Sequence, residues 1–116
     1  MAMLWTLFIL IGCFMPAPNV PKVDVPLADK WVHFTFFAGF TFFWLCAHPS
    51  LRASRLLTVL IIGIAFGSLI EVFQGLLPVL GRASEFMDAV ADSIGALLGT
   101  ILFFVSAAIA AKRSRA

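Results

Sequence analysis

Charge is what this sequence has least of: eight Lys and Arg and six Asp and Glu among 116 residues, or 12%. Soluble globular domains carry roughly 25% charged residues, so a water-soluble fold is excluded at the outset. The net charge of +2 is too small to argue for nucleic acid as a partner. Two cysteines, Cys13 and Cys46, supply neither a disulfide framework nor the spacing of a metal clip. There is no internal repeat and no low-complexity tract. The short alternating segments of a membrane barrel are missing as well. Met1 to Thr6 holds no Lys or Arg, so the basic start of a secretory signal is lacking.

What is present is apolar, at 62% of residues. Runs such as Leu56 to Ile70 and Ile94 to Ala111 require a solvent other than water. The expected fold is all-α: an integral membrane bundle of four transmembrane helices in a single domain, 1–116. The helices are placed at about 2–15, 29–47, 56–77 and 85–111. Pro16, Pro18, Pro21 and Pro26 forbid helix after the first run. His48-Pro49-Ser50 ends the second helix, and Leu51 to Arg55 reads as a basic turn. Pro78 closes the third helix, and Gly81 to Ser84 turns into the fourth. The first helix reaches only about 21 Å, against a hydrocarbon core of roughly 30 Å. Leu10-Ile11-Gly12-Cys13 loosely resembles a lipoprotein cleavage box, which would lipidate Cys13. Because the basic start is missing, a retained short helix is the expectation.

Basic residues orient the bundle. Arg52 and Arg55 lie between helices two and three, and Lys112, Arg113 and Arg115 follow helix four. Both segments fall on one side, which the positive-inside rule makes cytoplasmic, and four spans then place both termini there. Cys13 and Cys46 sit near opposite faces on this topology, too far apart for a disulfide. All six acids, Asp24, Asp29, Glu71, Glu85, Asp88 and Asp92, fall at the outer face or in the outer half of the bilayer. The rule gives acids little weight, so their clustering needs its own explanation.

Spacing lets these residues converge. Asp29 and His33 are i,i+4 on helix two, Glu71 and Gln74 i,i+3 on helix three, and Asp88 and Asp92 i,i+4 on helix four. Side chains three or four apart share a helical face, so each helix presents a polar stripe. On helix four the stripe continues as Gly95 and Gly99, a small-xxx-small spacing that lets another helix approach closely. Glu71 is the acid deepest in the membrane, where a charge costs about 2.5–3.5 kcal/mol. It must be neutral, hydrated or paired, and Arg82, Lys30 and His33 are the candidate partners. Arg82 has the fork suited to a carboxylate or phosphate. Structural readings compete with this one. Asp29 and Asp88 suit helix N-termini on their own account, and Glu71 could be a structural partner of Arg82.

The ordered set resembles a known family. Asp29-Lys30-Trp31-Val32-His33-Phe34 is similar to the D-K-x-x-H-F opening of VanZ-like membrane proteins. Glu71-x-x-Gln74, Arg82-x-Ser84, Asp88-x-x-x-Asp92 and Gly95-x-x-x-Gly99 resemble that family's second signature. The likeness covers roughly Asp29 to Phe104, with Asp92 standing where the family often has Asn. It implies a multi-pass protein of the bacterial inner membrane, in a family linked to teicoplanin resistance. It implies no known reaction.

The functional expectation is an outward-facing site for an anionic or amphiphilic ligand of the cell envelope, such as a lipid-linked precursor. Asp29, Lys30, His33, Glu71, Gln74, Arg82, Ser84, Asp88 and Asp92 form the site, with Gly95 and Gly99 in helix packing. The expected partners are the lipid bilayer and a lipid-linked envelope ligand. No cofactor and no metal is expected. One alternative is an intramembrane enzyme, with His33 or Glu71 as acid or base and Asp88, Asp92 and His33 able to hold a divalent cation. Another is a structural or partner-binding protein whose polar cluster only locks helices together.

Overall fold

The computed structural model describes residues 1–14, 28–77 and 86–114. They form four helices: α1 (Ala2–Phe14), α2 (Ala28–Ala47), α3 (Ala53–Leu76) and α4 (Phe86–Ser114). The all-helical expectation holds, with two boundaries moved. α3 starts three residues earlier than Leu56, so Arg55 lies in its first turn and the basic turn shrinks to Leu51 and Arg52. Ala, Ser and Arg carry no strong bar to helix, and the Arg52 carbonyl already accepts from the amides of Arg55 and Leu56. α4 runs through Lys112 and Arg113, whose cationic side chains suit the negative end of the helix dipole.

Of these helices, α3 and α4 are long and apolar enough to cross a membrane. At about 1.5 Å per residue they extend roughly 36 and 44 Å, and the shorter α2 about 30 Å. α1, at about 20 Å, is shorter than a hydrocarbon core of roughly 30 Å.

Burial runs opposite to that of a water-soluble protein. His33, Thr41, Glu71, Gln74, Asp88, Asp92 and Thr100 are buried. Leu57, Ile61, Ile62, Leu69, Phe73, Ile94, Leu97, Ile101 and Phe104 are exposed. Only 28% of the apolar window of either long helix is buried, so neither is the core helix of a soluble domain. Such a surface would aggregate in water and is matched to lipid. The chain has the character of a membrane protein.

The helices alternate in direction. Lys30 meets Asp88, Phe34 meets Gly95 and Ala38 meets Gly99, so α2 and α4 run parallel. Gly63 faces Ala96 and Gly67 faces Asp92, which makes α3 antiparallel to α4. The interface of α2 with α4 is the most extensive in the bundle. Glycine makes it possible. A Cβ at Gly95 would overlap the carbonyl oxygen of Phe34, and one at Gly99 would overlap the carbonyl oxygen of Ala38 and Thr41 Oγ1. Thr41 Oγ1 in turn donates to the Ala96 carbonyl at 2.9 Å, a polar tie between helices where water is scarce.

α1 is fastened by side-chain hydrogen bonds. Trp5 Nε1 donates to the Phe36 carbonyl at 2.8 Å, Trp44 Nε1 to Thr6 Oγ1 at 2.9 Å, and Gln74 Nε2 to the Cys13 carbonyl at 2.6 Å. Phe37, Phe40 and Ile70 join Ile9 and Cys13 in the adjoining core, while Leu45, Val59 and Phe103 form a second cluster toward the other end. Cys13 is buried and Cys46 exposed, and both are thiols.

Substitution at the crossing separates two kinds of close approach. Gly95→Val places its side chain against backbone that cannot yield, and a loss of about 1–3 kcal/mol or more is expected. Gly12→Ala meets only the Phe36 ring, at 3.1 Å, which can turn aside. Thermal unfolding in detergent should show a large drop for the first and little for the second.

Candidate functional site

Three helices bring their polar stripes together at one end of the bundle. Lys30 and His33 come from the first turns of α2, Asp88 and Asp92 from the first turns of α4, and Glu71 from the last turns of α3. His33 lies five residues past the first residue of α2, Asp92 six past that of α4, and Glu71 five before the last of α3. All three therefore sit about 8 Å below the helix ends.

Lys30 Nζ donates to Asp88 Oδ1 at 2.5 Å, a charge-assisted bond at the short end of the range. His33 Nδ1 lies 2.8 Å from Asp92 Oδ1, so the two share one proton. The other ring nitrogen, Nε2, faces Asp88 Oδ2 at 3.8 Å, and Nδ1 lies 3.9 Å from Glu71 Oε1. The imidazole stands among three carboxylates. Exposure falls along this chain of contacts, from 19% for the Lys30 side chain to 10% for Asp88, 7% for His33 and 1% for Asp92. The lysine stands at the mouth and Asp92 at the floor.

The floor is shaped by close packing. A Cβ at Gly67 would stand 2.8 Å from that of Asp92, so α3 reaches this carboxylate only because residue 67 has no side chain. Oδ2 of Asp92 is buried and has no hydrogen-bond partner among the described residues. A buried polar atom in that state costs about 1–3 kcal/mol, and more when charged.

The sequence-derived set divides. Lys30, His33, Glu71, Asp88 and Asp92 converge. Gln74, one turn from Glu71, directs its amide to the Cys13 carbonyl and so ties α3 to α1. Arg82 and Ser84 lie outside the described residues, as does the side chain of Asp29, although Asp29 itself is in α2. Gly95 and Gly99 lie where α4 crosses α2. Thr41, Gly63 and Gly67 also shape this region. The spacing Gly63-x-x-x-Gly67, the same small-residue signal that marks Gly95 and Gly99, was available to find the two glycines. Thr41 gave no signal, because a lone threonine in a Phe-rich helix is silent about its partner.

A family model described as VanZ/LLP1 matches residues 2–107, which takes in α1 as well as the polar stripes. No curated protein and no solved structure gives a match.

The Lys30–Asp88 pair is testable by a double-mutant cycle. Lys30→Met strands a largely buried carboxylate and should destabilise the protein, while Lys30→Met with Asp88→Asn should recover part of the loss. A coupling of about 1–3 kcal/mol is expected from unfolding in detergent. Strict additivity would mean that the pair contributes nothing.

Proposed function

The chain belongs to the VanZ/LLP1 family, and on that premise we propose that it is a multi-pass protein of the bacterial inner membrane that binds the polar head of a cell-envelope amphiphile. In this reading all four helices are transmembrane and both termini are cytoplasmic. The cluster around His33 then faces the cell envelope. A lipid-linked wall precursor and a lipoglycopeptide tail are the two occupants considered, the second being the route to teicoplanin resistance.

The observation that carries the reading is the burial of His33, Glu71, Asp88 and Asp92 together, with Lys30 at their mouth, in a bundle whose outside is apolar. Ionisable groups in such a setting are costly and mark binding or transport paths. Two further features favour an anionic head. α2 and α4 both begin at this end, so the positive ends of two helix dipoles open there. Exposed Trp31, Phe86 and Met87 lie beside them, a suitable rest for an acyl chain. Lys30 is engaged by Asp88, so an anion would have to compete for it, which leaves Arg82 as the chief cation of the proposed site. Its planar fork suits phosphate or carboxylate.

A second reading, an intramembrane enzyme, is favoured by one geometric fact: a carboxylate orients the His33 ring, leaving Nε2 as the reactive nitrogen. Ligand binding is the reading that needs no substrate to be supplied by assumption.

Native mass spectrometry of the purified protein and of Arg82→Ala provides the test. Co-purifying lipid-linked anions should be retained by the parent and lost by the folded variant, and Arg82→Lys should weaken binding about tenfold. Equal spectra for parent and variant would move the function to a structural or partner-binding role.

A further inference from the structure

His33, Glu71 and Asp92 bring an imidazole and two carboxylates together. Each offers one ligating atom, and the three atoms lie within 4.8 Å of one another, at the meeting point of α2, α3 and α4. All three residues are buried. Two ligands of a tetrahedral zinc ion with bonds of about 2.1 Å are separated by about 3.4 Å. His33 Nδ1 lies 2.8 Å from Asp92 Oδ1 and 3.9 Å from Glu71 Oε1, so the existing distances bracket that value. Coordination would open the 2.8 Å contact between His33 and Asp92 and draw Glu71 inward. We propose that His33, Glu71 and Asp92 form a binding site for one divalent transition-metal ion of the zinc class.

The donor set chooses the ion. One imidazole with two carboxylates suits zinc and its neighbours, whereas magnesium and calcium take oxygen alone. Three protein ligands leave a fourth position open, the pattern of a site that binds a further molecule. A closed structural site would need a fourth protein ligand.

Two observations beyond the cluster itself point to a ligand. Asp92 Oδ2 is buried at the floor with no hydrogen-bond partner among the described residues, while Oδ1 is held by His33. A carboxylate with one committed and one open oxygen, its side chain 1% exposed, is poised to accept a cation. The second is the surroundings of the imidazole. If Nδ1 binds the metal, the proton it shares with Asp92 passes to Nε2, and the Nε2–H then points at Asp88 Oδ2, now 3.8 Å away. Asp88 is fixed in turn by Lys30. A metal-bound imidazole that donates its other N–H to an anchored carboxylate is the usual second layer of a zinc site. Asp88 thus acts as a positioning residue, with His33, Glu71 and Asp92 as the ligands.

The site shares His33, Glu71 and Asp92 with the headgroup proposal but uses neither Arg82 nor a bound amphiphile. The two can fail separately. Tag-free, full-length protein in detergent is treated with chelator and then titrated with Zn²⁺ by calorimetry, with Mg²⁺ as the control ion. One Zn²⁺ per chain is expected, with an upward shift of the melting temperature and no comparable response to Mg²⁺. Asp92→Asn and His33→Ala should each weaken zinc binding at least about 100-fold, and Asp88→Asn about 10–100-fold. His48→Ala, at the only other histidine of the chain and an exposed one, should leave it unchanged. Should the ligand variants not fold, X-ray absorption at the zinc edge of the parent protein decides. A shell of one imidazole with oxygen donors upholds the site. Absence of stoichiometric zinc in folded parent protein, a sulfur-containing shell, or binding unaffected by folded Asp92→Asn and His33→Ala variants overturns it.

Discussion

Everything in this bundle depends on charged side chains being met by one another inside a protein whose outer surface is hydrocarbon. The Lys30–Asp88 and His33–Asp92 contacts span α2 and α4, and without them the acids of α4 would face a medium that cannot solvate them. In water such pairs contribute little, because the charges are hydrated when apart. In a bilayer the alternative to pairing is an uncompensated ion, and the pairing partners must therefore arrive in register. That register is what the helix directions supply: α2 and α4 enter from the same end, and Lys30 and His33 meet Asp88 and Asp92 in the same order along both helices.

Register alone is not enough, since salt-bridge atoms must come within 4 Å while backbones stand well apart in ordinary helix pairs. The glycines close that distance. Gly95 and Gly99 bring α4 against the carbonyl oxygens of α2, and Gly63 and Gly67 bring α3 against Ala96 and Asp92. The polar cluster and the small-residue contacts are thus two halves of one arrangement. Apolar burial plays a smaller part than in a soluble protein, because a leucine gains little by leaving lipid for protein. Phe37, Phe40 and Ile70 still fill the interior, and their shapes rather than their hydrophobicity hold α1 in place beside the tryptophan hydrogen bonds.

Much of this was legible in the sequence. Proline clusters and the two long apolar runs pointed to four helices, and polar pairs three or four apart, with Lys30 as a candidate partner, to the convergence of Lys30, His33, Glu71, Asp88 and Asp92. Gln74 shows where such reasoning stops. Spacing puts it on the face of Glu71, but the choice between the cluster and the Cys13 carbonyl is made by how close α1 lies, which no local pattern encodes. The α3 boundary shows the same thing from another side. Arg55 reads as a loop residue by charge, yet its guanidinium donates to the Trp44 carbonyl at 3.2 Å and so satisfies the end of α2 from within the helix. The orphan carbonyls at a helix end take whatever donor the fold brings near.

The cluster contains more than packing requires. Thr41 with Ala96, Gly95 with Phe34 and Gly99 with Ala38 already tie α4 to α2 through neutral groups, beginning one turn below the charges. A buried ion pair is a poor stabiliser compared with well-packed neutral residues of similar volume. Had holding the helices together been its only task, asparagine and glutamine at 92 and 71 would make interhelical hydrogen bonds at lower desolvation cost. Instead Asp92 is wholly buried with one oxygen unmatched among the described residues, and the histidine ring is held by its neighbours rather than by the backbone. Such an arrangement sacrifices stability to keep a charge and a ring nitrogen at fixed positions. On the proposed reading that sacrifice serves a site that receives a ligand, and a position about 8 Å below the helix ends would keep it within reach of a headgroup while sparing it from the centre of the bilayer.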